Sequence, residues 1–510
     1  MHRLLRRAVS PSRTPYHSLL TRHYTTMASR SYNDAVRALN SLQSNFAILT
    51  AIKASRMDMN AQAIPEMIEW VRRIGYTPSD FNKLNIIHVA GTKGKGSTCA
   101  FTSSILNEYR LSPPHIIRKT GLFTSPHLRA VRERIQINGA SISEDEFAKY
   151  FFEVWDRIES SAEKEGLDKK DKPAYFRFLT LVAFHAYLRE GVDTAIFEVG
   201  VGGEYDSTNV IKKPTVTGIT SLGIDHTGVL GETLEEIAWH KAGIFKPGSP
   251  AFSVEQPENA LKVLEKRAAE RNTQLQVVKV HPEIANGSTK LGLEAEFMKG
   301  NASLAVAIVG AHLKALGHDI NIPSGPLPEE IKRGLKTVQW AGRCQTIKEG
   351  SLEWFIDGAH TTESLHAAGQ WFAGKTTPSC QNRVLIFNQQ NRDAPEKLAE
   401  ALSSSLKTAL STSDVFTHAV FCTNVTFKEQ GYKPDLMSVG APSAAIAELT
   451  VQKGLAKAWK EQDENAVTEV RGTIEEAVEY ARGLEGETQV LVTGSLHLVG
   501  GLLEVLDVGK

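Results

Sequence analysis

NIIHVAGTKGKGSTCAF, residues 85–101, runs from an apolar segment (Ile86, Ile87, Val89) through a glycine-lysine loop into a helix-compatible stretch. That order gathers backbone N–H groups, a helix N-terminus and Lys95 around one point, which is how a chain holds a polyphosphate. The spelling departs from G-x-x-x-x-G-K-[ST], because Gly96 stands where a serine or threonine should follow the lysine. An isolated match of this kind also suits a plain glycine-rich turn with exposed lysines. The surrounding sequence decides between the two.

Outward from the loop, strand and helix patterns alternate. Apolar residues at helical spacing fill Ser31 to Ile74, and Gly121–Leu128 reads as a strand entering a proline-bearing turn. Ile135–Ile137 reads as a strand, Ser143–Ile158 as a helix with a Ser143/Glu146 capping box, and Glu163–Lys172 as a charged connection. Phe176–Leu188 follows as a helix, then Thr194–Val199 and Val216–Leu222 as β-branched strands. Such alternation predicts an α/β fold with a parallel sheet and its chemistry at the carboxyl ends of the strands. IPSGPLP at 322–328 is the strongest breaker of the second half, and strands restart at 354–356, 384–387, 419–422 and 490–493. The expected division is residues 1–30 as a leader, 31–337 as an ATP-binding domain and 338–510 as a second, smaller Rossmann-like α/β domain.

Composition narrows the function class. Lys plus Arg and Asp plus Glu both total 58, so no global field draws nucleic acid and an anionic ligand must meet a local cluster. Cys99, Cys344, Cys380 and Cys422 are scattered without a C-x-x-C pair, which predicts free thiols in a reducing compartment. No apolar run reaches membrane-spanning length. Before Asp34 there is no acidic residue, while Arg3, Arg6, Arg7, Arg13, Arg22 and Arg30 occur among serines and threonines. That is the composition of a mitochondrial transit peptide. A start at Met27 would give a cytosolic form, so blots of separated mitochondria and cytosol should show two species.

Four groups stand at predicted strand ends of the first domain: the loop, Ser125, Glu198 and His226. Phosphoryl transfer needs a divalent cation and ligands to hold it, and these three side chains offer a hydroxyl, a carboxylate and an imidazole. Lys241, among Trp239, Ala242 and Ile244 in a helix starting near Thr233, is a candidate buried lysine with a lowered pKa; a snorkelling surface lysine fits equally well. In the second domain, Arg343 has the fork that suits phosphate or carboxylate, and Asp357 at a strand end suits ribose hydroxyls, with His360 nearby. Salt bridges would explain the first two as well.

Taken in order, GTKGKGS (91–97), FTSPHL (123–128), FEVGVGGEYDSTN (197–209), SLGIDHTGVLGETLEEIAWHKAGIFKPG (221–248), WAGR (340–343), DGAH (357–360) and VTGSLHLVGG (492–501) resemble folylpolyglutamate synthase, within the Mur-ligase-like ATP-dependent amide ligases. The resemblance runs from about Ser31 to the C-terminus. It implies that Thr92, Lys93, Gly94, Lys95, Gly96 and Ser97 hold the ATP phosphates, with Asn301, Arg343, Asp357 and His360 closing on the nucleotide. It further implies magnesium, one or two ions, on Ser125, Glu198 and His226. Lys241 matches a lysine carried as a carbamate, His360 and Ser495 match positions near the incoming glutamate, and a monovalent cation is allowed. Lys95, His226, Lys241 and Arg343 would be the catalytic set. Two departures stand out: Glu204 where many relatives have Arg or Ala, and Ala341 for the Pro of W-P-G-R. Glu204 bears on the pterin side of specificity.

The implied reaction adds L-glutamate to the γ-carboxylate of a tetrahydrofolate through an acyl phosphate, in a monomer whose partners are ATP, glutamate and reduced folate. Dihydrofolate synthase, or an enzyme doing both, is the alternative within the class; the import segment favours the first. A nucleotide-binding protein without catalysis is a third reading, disfavoured because Lys95, Glu198 and His226 are all present.

Overall fold

A computed structural model describes residues 30–43, 58–318, 320, 325–377, 379–389, 394–429, 435 and 448–508. The expected transit segment up to residue 29, with Met27, lies outside the described residues. So does part of the 322–328 breaker.

The first sheet contains β1 (Ile87–Ala90), β2 (Thr120–Phe123), β3 (Ile135–Ile137), β4 (Ala140–Ser141), β5 (Thr194–Glu198), β6 (Val216–Ile219), β7 (Ala251–Val254) and β8 (Leu275–Val278). Their order across the sheet is β4-β3-β2-β5-β1-β6-β7-β8, and only the β2–β3 and β3–β4 pairs are antiparallel. The carboxyl ends of β2, β5, β1 and β6 therefore stand side by side, which is where the sequence placed its four groups. β1, β2, β5 and β6 are buried on both faces, as a parallel sheet covered by helices demands.

Helices supply that cover. On one face the Lys95–Leu111 helix packs between Met298–Ala315 and Glu329–Thr337. Gly334 permits the second approach, since a Cβ there would lie 2.5 Å from the Ile105 Cα. On the other face, Tyr32–Asn40, Glu144–Glu165 and Tyr175–Glu190 bury an aromatic core in which Phe184 stacks on Phe81 at 3.9 Å and on Phe197 at 4.5 Å. The Ser143/Glu146 capping box forms as expected. Its helix continues to Glu165 and stops at the left-handed Gly166, so it enters the stretch expected to be a loop.

The second sheet contains β9 (Gln345–Glu349), β10 (Leu352–Ile356), β11 (Asn382–Phe387), β12 (His418–Cys422), β13 (Val467–Arg471) and β14 (Thr488–Thr493), in the order β13-β12-β11-β14-β10-β9. Only β9 pairs antiparallel. The last strand of the chain thus lies in the middle of its sheet. The sequence reading had not marked β4, β7, β8, β9 or β13; all but β7 are edge strands, and β8, β9 and β13 carry polar residues that dilute the apolar signal.

The two domains meet along the 124–134 segment. Arg129 donates to Glu504 at 2.7 Å and Asp507 at 2.6 Å, and Gly500 lies under the Leu128 carbonyl so closely that a Cβ would stand 1.9 Å from it. Asp435 reaches across from the second domain, its carboxylate accepting from the Val131 amide at 2.8 Å and from the Tyr32 hydroxyl. Among the described residues no helix is long and apolar enough to cross a membrane. The four cysteines are free thiols, three of them buried.

Candidate active site

Past β1 the chain turns at Gly91, φ +146°, and Gly94, φ +90°, the second being the N-cap of the Lys95–Leu111 helix. A side chain at Gly91 would put its Cβ 1.8 Å from Thr220 Oγ1, and one at Gly94 would put it 2.4 Å from Asn301 Oδ1. The loop is pinned to the end of β6: Thr92 and Lys93 donate their amides to the Ser221 carbonyl at 2.9 and 3.0 Å, and the Thr92 hydroxyl donates to the Gly223 carbonyl at 3.1 Å. Lys95 folds over the loop, with Nζ 3.0 Å from the Gly91 carbonyl. Lys93 pairs with the buried Asp225 at 3.0 Å. A Cβ on Gly96 would stand 3.3 Å from Trp340 Nε1 and 3.7 Å from Glu198 Oε1. The irregular glycine is thus the point where the second domain's first motif and the buried carboxylate both come against the phosphate loop.

Glu198, the last residue of β5, is buried and accepts from the Ser125 amide at 3.0 Å and from the Thr124 hydroxyl. Burial raises its carboxyl pKa, and the Lys95 ammonium opposes that rise. The contact to Glu198 is made by the backbone of Ser125, and Thr124, which the sequence reading passed over, supplies the hydroxyl. His226 is exposed on a left-handed backbone (φ +53°), its amide held by Asp225 at 2.9 Å, so it stands at the rim. Among the described residues no three His, Cys, Asp or Glu side chains gather into a metal-holding group. Magnesium does not require one: it is commonly held by one or two carboxylates plus substrate phosphates and water. A buried, hydrogen-bonded Glu198 facing the phosphate loop fits that donor set.

Lys241 is buried, not snorkelling, and donates to the Gly91 carbonyl at 2.8 Å from beneath the loop. Burial pushes its ammonium well below the usual lysine range, the neighbouring Lys95 pushes it further, and Asp225 opposes. Glu204 proves to be a brace, its carboxylate pairing with Arg267 on the Glu258–Glu270 helix and, at 2.8 Å, with Arg271 at that helix's C-cap. That accounts for the residue without a pterin.

In the second domain Arg343 lies against the Asp357 turn, where a Cβ on Gly358 would stand 2.5 Å from Arg343 Nη1. Asp357 is buried and accepts from the Cys344 and Ala359 amides, both at 2.9 Å. Its carboxylate braces the two loops here. His360 Nδ1 lies 3.0 Å from the Gly358 carbonyl. A cleft of about 340 Å³ separates the domains at this point, with Ile224 on one wall and His360, Thr361, Glu363 and Lys397 on the other. Ser495 caps the Leu496–Asp507 helix through the His497 amide, and Gly494 beside it donates to the Ala359 carbonyl at 2.9 Å. The loop, Glu198 and Lys241 thus form one cluster, closed over by Trp340, while His360 lines the cleft beside it. The arrangement can hold a polyphosphate against a cationic loop and hold a second reactant between the domains.

The family described as "Dihydrofolate synthetase, C-terminal domain" matches residues 339–505. The folylpolyglutamate synthase of Saccharomyces cerevisiae (strain ATCC 204508 / S288c) is 49% identical over 498 residues, covering 94% of this chain and 88% of the relative. Among solved structures, a Mycobacterium tuberculosis folylpolyglutamate synthase complexed with ADP and AMPPCP superposes with a TM-score of 0.67 at 22% identity, over 93% of this chain and 99% of that one. E. coli FolC in complex with DHPP and ADP gives 0.63 at 22% identity, over 94% and 98%.

Proposed function

The chain belongs to the folylpolyglutamate synthase family, and from that premise we propose how its own residues perform the ligation. It is an ATP-dependent ligase that adds L-glutamate to folates. The observation that carries the assignment of roles is the meeting of Lys95, Glu198 and Lys241 at one loop that the second domain's Trp340 covers.

ATP transfers its γ-phosphoryl group to the terminal γ-carboxylate of the folate, giving an acyl phosphate and ADP. The amine of glutamate then attacks the acyl carbon, loses its proton, and phosphate leaves. Both steps concentrate negative charge on oxygen, so fixed cations and backbone N–H groups account for most of the catalysis. The amides of residues 94–97 at the helix N-terminus meet the phosphates. Lys95 leaves its carbonyl partners in the loop for the transferring group, and Arg343 approaches from the second domain. Glu198 and the Ser125 hydroxyl, with His226 at the rim, would hold magnesium, which when bound offsets phosphate charge.

Lys241 has the property that carbamate formation requires, an amine whose pKa burial lowers well below the usual lysine range, which favours the neutral form whose lone pair adds to carbon dioxide. A carbamate there would bring an anion to the underside of the loop, beside Lys95. Enzyme exchanged into carbonate-free buffer is expected to lose activity and regain it on adding bicarbonate; full activity in strictly CO₂-free buffer would remove the carbamate.

Dihydropteroate as acceptor is the second reading, favoured by the family matched at 339–505 and by the FolC complex. Incubation with ATP, [³H]glutamate and either tetrahydrofolate or dihydropteroate separates the two. Labelled product is expected with tetrahydrofolate. Product with dihydropteroate alone would reassign the acceptor, and glutamate-dependent phosphate release without any pterin would contradict the ligase reading.

A further inference from the structure

Arg134 ends a short 3-10 turn, Val131–Arg134, directly before β3, and is only 9% exposed. Its Nε donates to His127 Nδ1 at 2.9 Å. His127 Nε2 lies 2.8 Å from the Asp435 carbonyl, which can only accept, so the ring is the neutral tautomer with its proton on Nε2. Burial agrees, holding the His127 pKa down near 3 and lowering that of His497 as well. The guanidinium lies 5.6 Å from the centre of the Tyr175 ring. Among the described residues, its two terminal nitrogens make no hydrogen bond and no ion pair. The other arginines buried to this degree are supplied: Arg267 pairs with Glu204 and Glu270, and Arg73 reaches the Ile158 carbonyl.

A charge taken out of water without a partner is costly, and imidazole and phenol rings do not offset it. The group is also placed where a substrate is needed. The Arg134 carbonyl accepts the Thr124 amide at 3.1 Å, fixing the residue beside the Thr124–Ser125 corner that holds Glu198. Glu198 and Glu133 act on its charge, but the Glu198 contacts are to Thr124 and Ser125, and the Glu133 carboxylate accepts from the Leu128, Arg129 and Ala130 amides. From the other side the seam is closed by the second domain, through Asp435 and the start of the Leu496–Asp507 helix where His497 stands.

We propose that Arg134 is a carboxylate anchor, its outer guanidinium edge gripping the α-carboxylate of a glutamyl unit in the reaction. This rests on the functional reading above. The fork of an arginine matches a carboxylate by two parallel N–H···O bonds. Its Nε, held by His127, leaves the opposite edge free for them. The glutamyl unit is either the terminal residue of the folate or the incoming amino acid. Holding the α-carboxylate would leave the γ-carboxylate, or the amine, as the only group that reaches the phosphate loop.

The test uses the full-length enzyme and substrates that lack only the gripped group. 4-Aminobutyrate replaces glutamate as the nucleophile, and a tetrahydropteroyl-4-aminobutyrate replaces the folate acceptor. In Arg134→Gln, KM for one natural substrate should rise roughly ten- to a hundredfold, the scale of a lost charged hydrogen bond. KM for ATP should stay unchanged, kcat/KM for the matching decarboxylated analogue should hardly move, and Arg134→Lys should recover part of the loss. Which analogue becomes indifferent to the mutation identifies the glutamyl unit. Equal losses for natural substrates and analogues, or none for either, would overturn the anchor. Should the wild type prove inactive with every pterin, the functional reading fails instead. Calorimetric titration of glutamate and tetrahydrofolate into both proteins then decides on the anchor: weaker binding of either to the variant supports it, equal binding of both overturns it.

Discussion

Lys95→Ala is expected to lower kcat by at least about two orders of magnitude, the scale of removing one preorganised charge contact from a transition state. Among the described residues the Lys95 ammonium donates hydrogen bonds to the Gly91 and Thr92 carbonyls. The Gly91 carbonyl keeps Lys241 as a donor from beneath the loop, so the fold loses little when the Lys95 amine goes. Two measurements separate chemistry from stability: single-turnover phosphate release with tetrahydrofolate and glutamate, and a thermal melt. The melting temperature should move by no more than a few degrees. An enzyme that keeps wild-type turnover would show that the transferring phosphoryl group is held elsewhere. A variant that melts far lower would show that Lys95 supports the loop before it serves the reaction.

The second large effect comes from a single methyl group. At Gly91 the backbone has φ +146°, a conformation that side-chain-bearing residues rarely take. The added Cβ would also stand 1.8 Å from the Thr220 hydroxyl oxygen and 2.9 Å from the Thr220 amide nitrogen, and the latter cannot swing aside. Strain and overpacking together cost roughly 3 kcal/mol or more. Gly91→Ala should therefore melt about 10 °C lower, on the scale of domains of this size. It should also be inactive, since β1 and β6 must separate to relieve the clash and the phosphate loop hangs between them. Gly300→Ala is the control: nothing lies within 4 Å of its Cβ position and it sits in a helix, so stability should hold or rise slightly. Wild-type melting of Gly91→Ala would mean the loop adapts, and the crowding described here would carry no weight.

The sequence showed the strand ends because β1, β2, β5 and β6 are short runs buried on both faces, apolar or β-branched in most positions, and such runs announce themselves. It showed Lys241 only as an open choice. Whether a lysine in an apolar helix is buried depends on what packs over it, and here that is the loop itself, 150 residues earlier. Thr124 and Asp225 were visible within their motifs but overshadowed by Ser125 and His226. Their roles follow from which atom points inward, and alternation along a strand end does not set that once the chain leaves the sheet. Asp357 was read as a ligand from its place at a strand end, and its tie to the 344 and 359 amides depends on how the two loops meet. Arg134 carried no signal at all. One arginine among three in RAVRER is distinguished only by having the protein close around it with no direct ion pair among the described residues.

The central place of β14 governs the order in which the molecule can be assembled. Every strand of the first sheet has been synthesised by residue 278, and the helices that cover the phosphate loop are complete by residue 337. The ATP-binding half can therefore close while the ribosome is still translating the rest. The second sheet has no such freedom. Until residues 488–493 emerge, β10 and β11 present open edges to each other's absence, and those are the edges that invite pairing with another chain. A message truncated in its last few dozen codons would thus yield a folded nucleotide-binding half that drags an adhesive, unfinished sheet.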